Sequence, residues 1–304
     1  MSQIMSTGAF PQDLRPGIRA KFGHAYKAYA TIYDRILEVK VPEDRAYEED
    51  VMESGLTLPQ VKPQGSAVTY VAGQQLYSIR YPHIQYGLGF AITQEMMDDG
   101  VGEKKGMVYA AALKLNMLRG REIQAANVYA NGFSTSTTTE GGDGSAWFSS
   151  SHTTPAGNQT NIPATANTLA ESSLEQAHID IGSFKDNNNN LIFCRAEKLV
   201  VPLNLEFTAT RILKNLTMRP GTADRDINAQ VEMGMAPEIV VDPYLSSTTN
   251  WFIGTDQPGR IFWNRKDIIL SDDNEFDTEN AKFKGLMRFS VGVSDWHTGY
   301  GVQS

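Results

Sequence analysis

The chain of 304 residues has one cysteine, Cys194, so it can form neither an intrachain disulfide nor a cysteine-built zinc site. That suits assembly in a reducing compartment. No apolar run approaches the roughly 18 to 20 residues that span a bilayer. The opening "MSQIMSTGAFPQDLRPGIR" also lacks the apolar segment of a secretion signal, so a soluble intracellular product is expected. Basic residues are scarce: 27 Lys and Arg stand against 35 Asp and Glu, a formal net charge of −8, which argues against nucleic acid as the main partner.

Motifs of catalysis are missing too. The five histidines (His24, His83, His152, His178, His297) show no H-x-E, H-E-x-x-H or H-x-H spacing, so no local metal nest is expected. Gly100 and Gly102 begin a G-x-G, but Lys105 stands where a dinucleotide fingerprint needs glycine, and no Gly-Lys-Ser/Thr follows for a P-loop. A calcium loop started at Asp272 would place Phe276 fifth and Asp277 sixth, where an oxygen ligand and glycine are required. The six carboxylates between Asp267 and Glu279 are therefore read as a solvated loop. His152, in "WFSSSHTTPAGNQTNI", sits among hydroxyls and amides, but there is no G-x-S-x-G elbow and nothing in the sequence orients the imidazole. No catalytic residue, cofactor or metal is expected.

What is present is an uneven distribution of charge and periodicity. Residues 1–40 hold six basic and three acidic side chains, whereas 41–60 hold Arg45 against six acids. The latter segment has few large apolar residues and cannot build a core; it reads as an extended arm lying on something else, or as a solvated linker. Residues 61–93 alternate aromatic and β-branched with polar residues across Val68, Tyr70, Leu76, Ile79, Tyr81, Ile84 and Tyr86, which predicts a projecting two-stranded ribbon turning near Gly73. An isolated hairpin is marginal in water, so a ribbon of this kind needs an external surface.

From Thr93, a plausible N-cap, to Tyr129 the apolar residues Met107, Val108, Ala111, Leu115, Leu118, Ala125 and Tyr129 recur mostly at helical steps. They predict one stripe on a long amphipathic helix of up to about 25 residues from Gly106. Its basic residues Lys104, Lys105, Lys114, Arg119 and Arg121 read either as a solvated face or as a modest contact with phosphates or an acidic neighbour. Residues 131–168 are rich in Ser, Thr, Gly and Asn and hold little for a core; such a long loop is usually functional or mobile. Beyond it an α/β pattern resumes. A helix is predicted at "LAESSLEQAHIDIGSF", a turn at "KDNNNN", strands at "LIFC" and "KLVVP", and a helix at "PLNLEFTATRILKN". Strands follow at "MAPEIVVDPYL", "NWFIGT" and "RIFWNRKDIIL", then one long strand and a turn in "AKFKGLMRFSVGVSDWHTGYG". The fold class is α+β, with no internal repeat.

Arm, ribbon, long helix, α/β insertion and returning strand, in that order, resemble the major capsid protein of tailed bacteriophages with the Hong Kong 97-type fold. The phrases "YGLGFAITQEMMDDG", "WFSSSHTTPAGNQTN", "LVVPLNLEFTATRIL" and "VDPYLSSTTNWFIG" look like the major head subunit of Mu-like phages in particular. The resemblance implies an N-terminal arm over 1–55, an E-loop over 56–86, and a peripheral domain from 87–164 and 262–304 with its spine helix at about 95–131. An axial domain would occupy 165–261. It also implies a virion subunit that assembles with itself into hexamers and pentamers in the bacterial cytoplasm, meeting a portal, a decoration or cement protein, and double-stranded DNA only weakly and non-specifically. No membrane is involved. The fused scaffolding segment of some relatives has no counterpart here, so a separate scaffold is expected. Some relatives crosslink a lysine to an asparagine; Lys62 lies in the ribbon, but no acidic catalyst or acceptor can be assigned, so that activity is not carried over.

Candidate subunit contacts are Arg15, Arg19, Glu48, Glu49 and Asp50 of the arm, Lys62, Gln75, Tyr77 and Arg80 of the ribbon, and Lys104, Lys105, Arg119 and Arg121 of the helix. Removing residues 1–50 is expected to spare the fold and abolish shells. The rival readings are an enzyme, which would need a clustered acid, base or metal set, and a phage tail or other adhesion protein, which would form rings or trimers.

Overall fold

The computed structural model describes residues 4–5, 30–43, 45–100, 102–136, 138–155, 157–214, 228–275 and 279–304. In chain order its elements are β1 (Ile4–Met5), α1 (Tyr33–Ile36), β2 (Glu38–Lys40), β3 (Tyr47–Glu53), β4 (Gln75–Pro82), β5 (Ile84–Ile92), α2 (Gln94–Asp98) and α3 (Gly102–Ala130). There follow β6 (His152–Thr154), β7 (Gly157–Gln159), α4 (Glu171–Gly182), β8 (Ala196–Val201), α5 (Glu206–Leu213) and α6 (Ala229–Glu232). The chain ends with β9 (Glu238–Val241), β10 (Trp251–Thr255), β11 (Arg260–Asn274), β12 (Ala281–Val293) and β13 (Gly299–Val302). Contacts divide it into a first unit (Met1–Thr31, His83–Glu122, Trp263–Ser290) and a second (Ile32–Pro82, Ile123–Phe262, Val291–Ser304).

The first unit is a sheet with a helix on it. Strands β1, β5, β12 and β11 are neighbours in that order, and β5 runs antiparallel to β12 from Ile84↔Phe289 to Ile92↔Ala281. Side chains alternate across a sheet, so Tyr86, Phe90, Phe283, Met287 and Phe289 share one face. Phe90 stacks on Phe283 at 4.8 Å, Tyr86 on Phe289 at 4.7 Å, and Phe90 also meets Tyr109 of α3 at 5.8 Å. Thr93 caps α2 by accepting from the Met96 amide, as expected. Gly100 then takes φ +73°, which stops the helix before α3 begins, so the glycine cluster is a break, and the run of about 95–131 that the resemblance implies is two helices.

The long helix itself is 29 residues, about 43 Å. Its buried stripe keeps Ala125 and Tyr129 of the expected one and differs further toward the N-terminus. Met107 is 65% exposed, and the inward positions are Leu113, Met117, Arg121, Ala125 and Tyr129, four residues apart. Arg121 can hold a place in that stripe because its guanidinium reaches Asp267 of β11 at 3.1 Å. The strand β11 continues through Asn274, so the first half of the acidic stretch read as a loop is strand.

The second unit is centred on a four-stranded sheet, β13-β10-β8-β9, with β8 and β9 parallel and the other pairs antiparallel. β10 and the second half of β8 are apolar runs because both their faces are covered, and Leu199, Val200, Val201 and Ile253 are fully buried. The helices at 171–182 and 206–213 and the strands at 196–201, 238–241, 251–255 and 260–274 fall where the pattern placed them. "LIFC" is an exception. Only Leu191 makes an isolated bridge there, to Lys185, and Phe193 is 80% exposed. The last strand, β13, pairs with β10, so the C-terminal stretch does not serve the first unit alone.

The largest departure is residues 131–168. Among its described residues the segment has a packed interior, with 164–168 exposed at its end. Trp147 and Phe148 are buried and stack at 4.1 Å, and Tyr129 and Phe252 complete the cluster at 4.9 and 5.4 Å from them. His152, Asn161 and Thr139 are fully buried as well. Counting Ser, Thr and Gly understated the core because two adjacent large aromatics and a handful of satisfied polar groups suffice to build one.

Candidate assembly surfaces

The ribbon exists, but its strands are not the expected pair. β3, taken from the acidic segment, runs antiparallel to β4, from Tyr47↔Pro82 to Glu53↔Gln75. β5 belongs to the other sheet, and the hairpin does not turn at Gly73. Alternation explains how so acidic a strand folds: Glu48, Asp50 and Met52 face inward opposite Tyr81, Ile79 and Tyr77, while Tyr47, Glu49, Val51 and Glu53 face out. Outward Glu49 meets Arg80 at 3.8 Å, and the Arg80 guanidinium lies 4.1 Å over the Tyr47 ring. Deleting residues 1–50 would therefore remove half of a ribbon strand along with the arm.

Two sets of contacts seat the ribbon's inner face. Near its base the Tyr81 hydroxyl donates to Ser294 Oγ at 2.9 Å, and Ser294 Oγ donates to Asp50. The Tyr81 ring covers Gly292, where a Cβ would lie 2.5 Å from it. Further out, Tyr77 lies on Gly142 so closely that a Cβ would stand 1.8 Å from the ring. Burial beside Asp295 and Asp143 pushes the Tyr77 phenol well above its usual range, so it stays neutral. Asn188 adds a hydrogen bond to the Gly55 carbonyl at 2.6 Å.

Between the strands, residues 54–74 form a long connection with no regular structure beyond one turn. It carries Leu56, Leu58, Val61, Val68, Tyr70 and Val71, which are 65%, 68%, 95%, 57%, 92% and 46% exposed. Six large apolar side chains on one uncovered loop are far from the scattered single exposures of a monomer surface. A second apolar display lies on the second unit. Leu203 and Phe207, one helical turn apart, are 58% and 72% exposed, and Met233 and Met235 follow α6 in the same state.

The candidate contact residues divide. Glu49, Lys62, Gln75 and Arg80 are exposed on the ribbon and its loop. Lys105 and Arg119 are half-buried on α3, and Lys104 falls on its first turn. Glu48, Asp50, Tyr77 and Arg121 point inward, the last three into the contacts given above. Arg15 and Arg19 lie outside the described residues.

His152 has a partner on each side, contrary to expectation. Its Nδ1 faces Asp143 Oδ2 at 2.8 Å and its Nε2 faces Asn161 Oδ1 at 3.1 Å. The Asn161 amide is oriented without ambiguity, since Nδ2 reaches the carbonyls of Trp147, Trp296 and Gly299 at 2.6, 3.1 and 3.1 Å while Oδ1 accepts from the Ser149 amide. Both ring nitrogens thus lie within hydrogen-bond reach of a side-chain oxygen. The ring stacks on Trp296 at 4.7 Å and has no exposed surface. Burial works against the Asp143 carboxylate, but the His152 hydrogen bond and charge and the Ser145 amide outweigh it and lower its pKa. This constellation orients an imidazole as a hydrolase does and then closes it off from any substrate. Burial pushes the Cys194 thiol up to about 12, so it is inert at neutral pH. Among the described residues no group of three or more His, Cys, Asp or Glu could hold a metal, and no helix is long and apolar enough to cross a membrane. No spacing in the sequence announces the Asp143–His152–Asn161 set; the aromatic pair Trp147–Phe148 is the one sign that this loop has an interior.

Residues 77–302 match the family model described as phage capsid protein. The chain belongs to the phage capsid protein family. No curated protein matches this capsid chain. Among solved structures it is similar to the capsid of the cyanophage P-SCSP1u, with a TM-score of 0.60 and 11% identity over 95% of this chain and 93% of that one. The capsid of the native GTA particle gives 0.60 and 12% over 97% of both chains, and that of Mycobacterium phage Che8 gives 0.58 and 10% over 95% and 97%. At such identity the likeness is one of fold: the α+β, Hong Kong 97-type capsid architecture.

Proposed function

We propose that this capsid chain is the major head subunit of a tailed phage, a structural protein that assembles with itself into hexamers and pentamers of an icosahedral shell around the genome. One observation carries the reading: residues 54–74 display six large apolar side chains that no described part of the chain covers. A neighbouring copy supplies the cover, and in a closed shell every copy both gives and receives it, through heterologous, ring-forming contacts. Family membership favours a shell over a tail or adhesion role.

In these terms the N-terminal arm ends at about residue 46 and the E-loop is the ribbon with its loop, 47–82. The spine helix is α3, the axial domain is built on β8, β9 and β10, and the Leu203–Phe207 display faces the axis of the ring. The closed surroundings of His152 and the inert Cys194 favour a role without catalysis. A net charge of −8 favours weak, non-specific contact with packaged DNA. Portal, separate scaffold and cement protein are partners of the same reading, as are the virion as destination and the host cytoplasm as place of assembly. The kinship with Mu-like head subunits rests on the four quoted phrases.

The test replaces residues 57–72 with a short Gly-Ser turn, keeping the Ser54–Gln74 and Gly55–Asn188 hydrogen bonds. Overexpressed wild type should give large closed particles by negative-stain microscopy, and the variant soluble subunits or single rings. Closed particles of normal size from the variant would overturn the reading.

A further inference from the structure

The buried histidine has no part in self-assembly as described so far, yet it stands next to an element that does. Asp143 belongs to the tight turn 140–146, closed by the Glu140↔Ala146 bridge and by hydrogen bonds from Gly141 N to Ser145 O at 2.7 Å and from Gly144 N to Gly141 O at 3.0 Å. The tip of this turn is Gly142, the residue on which Tyr77 of the ribbon lies. From the turn a line of buried groups leads inward: Asp143, with a side chain 4% exposed, then His152 and Asn161, both at zero. Asn161 is bonded to the carbonyls of Trp296 and Gly299, and its own carbonyl accepts from Gly301 of β13.

We propose that Asp143, His152 and Asn161 are positioning residues for assembly: they brace the 140–146 turn as a rigid seat for Tyr77 and so set the direction in which the ribbon leaves the second unit. This rests on the reading of the ribbon as an inter-subunit element. A strand held at one point pivots, whereas a strand held at two has a direction. Tyr81 over Gly292 is the first point. Tyr77 is four residues further along the same face, about 13 Å away, and is the second. The second point is only as firm as the turn beneath it, and Asp143 is that turn's link to the interior. A solvated loop rich in Ser and Gly would drift by ångströms; one tied through a charge-assisted hydrogen bond in a dry site does not.

The experiment is a double-mutant cycle on the full chain with two readouts, hydrogen exchange of residues 47–53 and 75–82 in the subunit, and yield and size of particles by microscopy. His152→Gln and, independently, Gly142→Ala, which drives a methyl into the Tyr77 ring, should leave protection of β8, β10 and β13 intact. Each should raise exchange of the ribbon and lower the yield of normal particles about tenfold, a single decade of an assembly equilibrium. In a Tyr77→Ala background His152→Gln should cause no further loss, because its route to the ribbon is already cut. Additive losses would overturn the inference, as would normal particles from His152→Gln, whatever Gly142→Ala does. If His152→Gln fails to fold, Asp143→Asn takes its place in the cycle with Tyr77→Ala, since it weakens the same link; Gly142→Ala tests the seat and leaves the histidine and its partners intact. Removal of residues 57–72 separates the two readings. If that variant still forms normal shells, the assembly role fails; if it does not, while His152→Gln and Gly142→Ala do, only the brace fails.

Discussion

Two connections of this chain look alike on paper and behave oppositely. Residues 131–168 are Ser-, Thr-, Gly- and Asn-rich, and residues 54–74 are polar with scattered Val, Leu and Tyr. The first is packed and internally bonded around Trp147, Phe148, His152 and Asn161; the second leaves Val61 and Tyr70 more than 90% exposed. Mean composition does not separate them. A loop becomes self-supporting when a few polar groups are buried together with all their partners, and stays open when its apolar residues have none within reach. Under the proposed function that contrast assigns labour, with the closed loop as foundation and the open loop as reach.

The most damaging way to break the contrast is to remove the amide at its centre. Asn161→Ala leaves the Ser149 amide, three carbonyls and one face of His152 without their shared partner, all in a dry site. A loss of about 3 to 5 kcal/mol is expected, from several stranded buried groups, measured by urea unfolding of the subunit. A loss below about 1 kcal/mol, the ordinary range of a surface change, would mean that the loop is no foundation.

Asp143→Asn comes next and adds a pH signature. The folded carboxyl has a pKa below its ordinary value of 3.8, so its ionised form is favoured by folding. Its contribution is complete above 3.8 and is lost as the pH falls through the lower folded value. The wild type should exceed the variant by about 2 to 3 kcal/mol at pH 7, in the range for one lost charged partner, and the gap should narrow in unfolding curves taken below pH 4. A gap that is the same at pH 3 and pH 7 would exclude the ionised Asp143 as its source.

How much of this could be read in advance depends on what each element buries. The strand 251–255 and the Leu199–Val201 half of 196–201 were legible because both faces are covered there and the runs are apolar. The helix α3 was legible as a helix but not in its facing: apolar residues line most of its circumference, and the inward stripe admits Arg121 because Asp267 meets it. The ribbon was legible in β4 and not in β3, whose inward Glu48 and Asp50 mimic a solvated charge run; the Ser294 hydroxyl that meets Asp50 lies 244 residues away. The brace around His152 was illegible for the same reason, since Asn161 works through carbonyls at 147, 296 and 299. Such polar sites are written in the tertiary structure, and periodicity records only the apolar ones.

The open loop is tested by charge. Val61→Glu with Tyr70→Glu, at positions 95% and 92% exposed, should leave subunit stability within about 0.5 kcal/mol, because neither residue has cover to lose. Particle yield should still collapse, because the same positions would then carry charge into a desolvated contact. Unchanged particles would show that these apolar residues meet water in the shell as well, and the contrast between the loops would lose its functional half.

The smallest effect belongs to Arg80, on the outer face of the ribbon. Its ion pair with Glu49 is long at 3.8 Å, both side chains are exposed (59% and 38%), and its guanidinium also lies 4.1 Å over Tyr47. Exposed pairs and exposed cation–π contacts are each worth about 0.5 kcal/mol, so Arg80→Ala should destabilise the subunit by no more than about 1 kcal/mol, less still in high salt. A larger loss by urea unfolding would mean that the ribbon is held from its outer face too. The two seats under Tyr77 and Tyr81 would then not be what gives it direction.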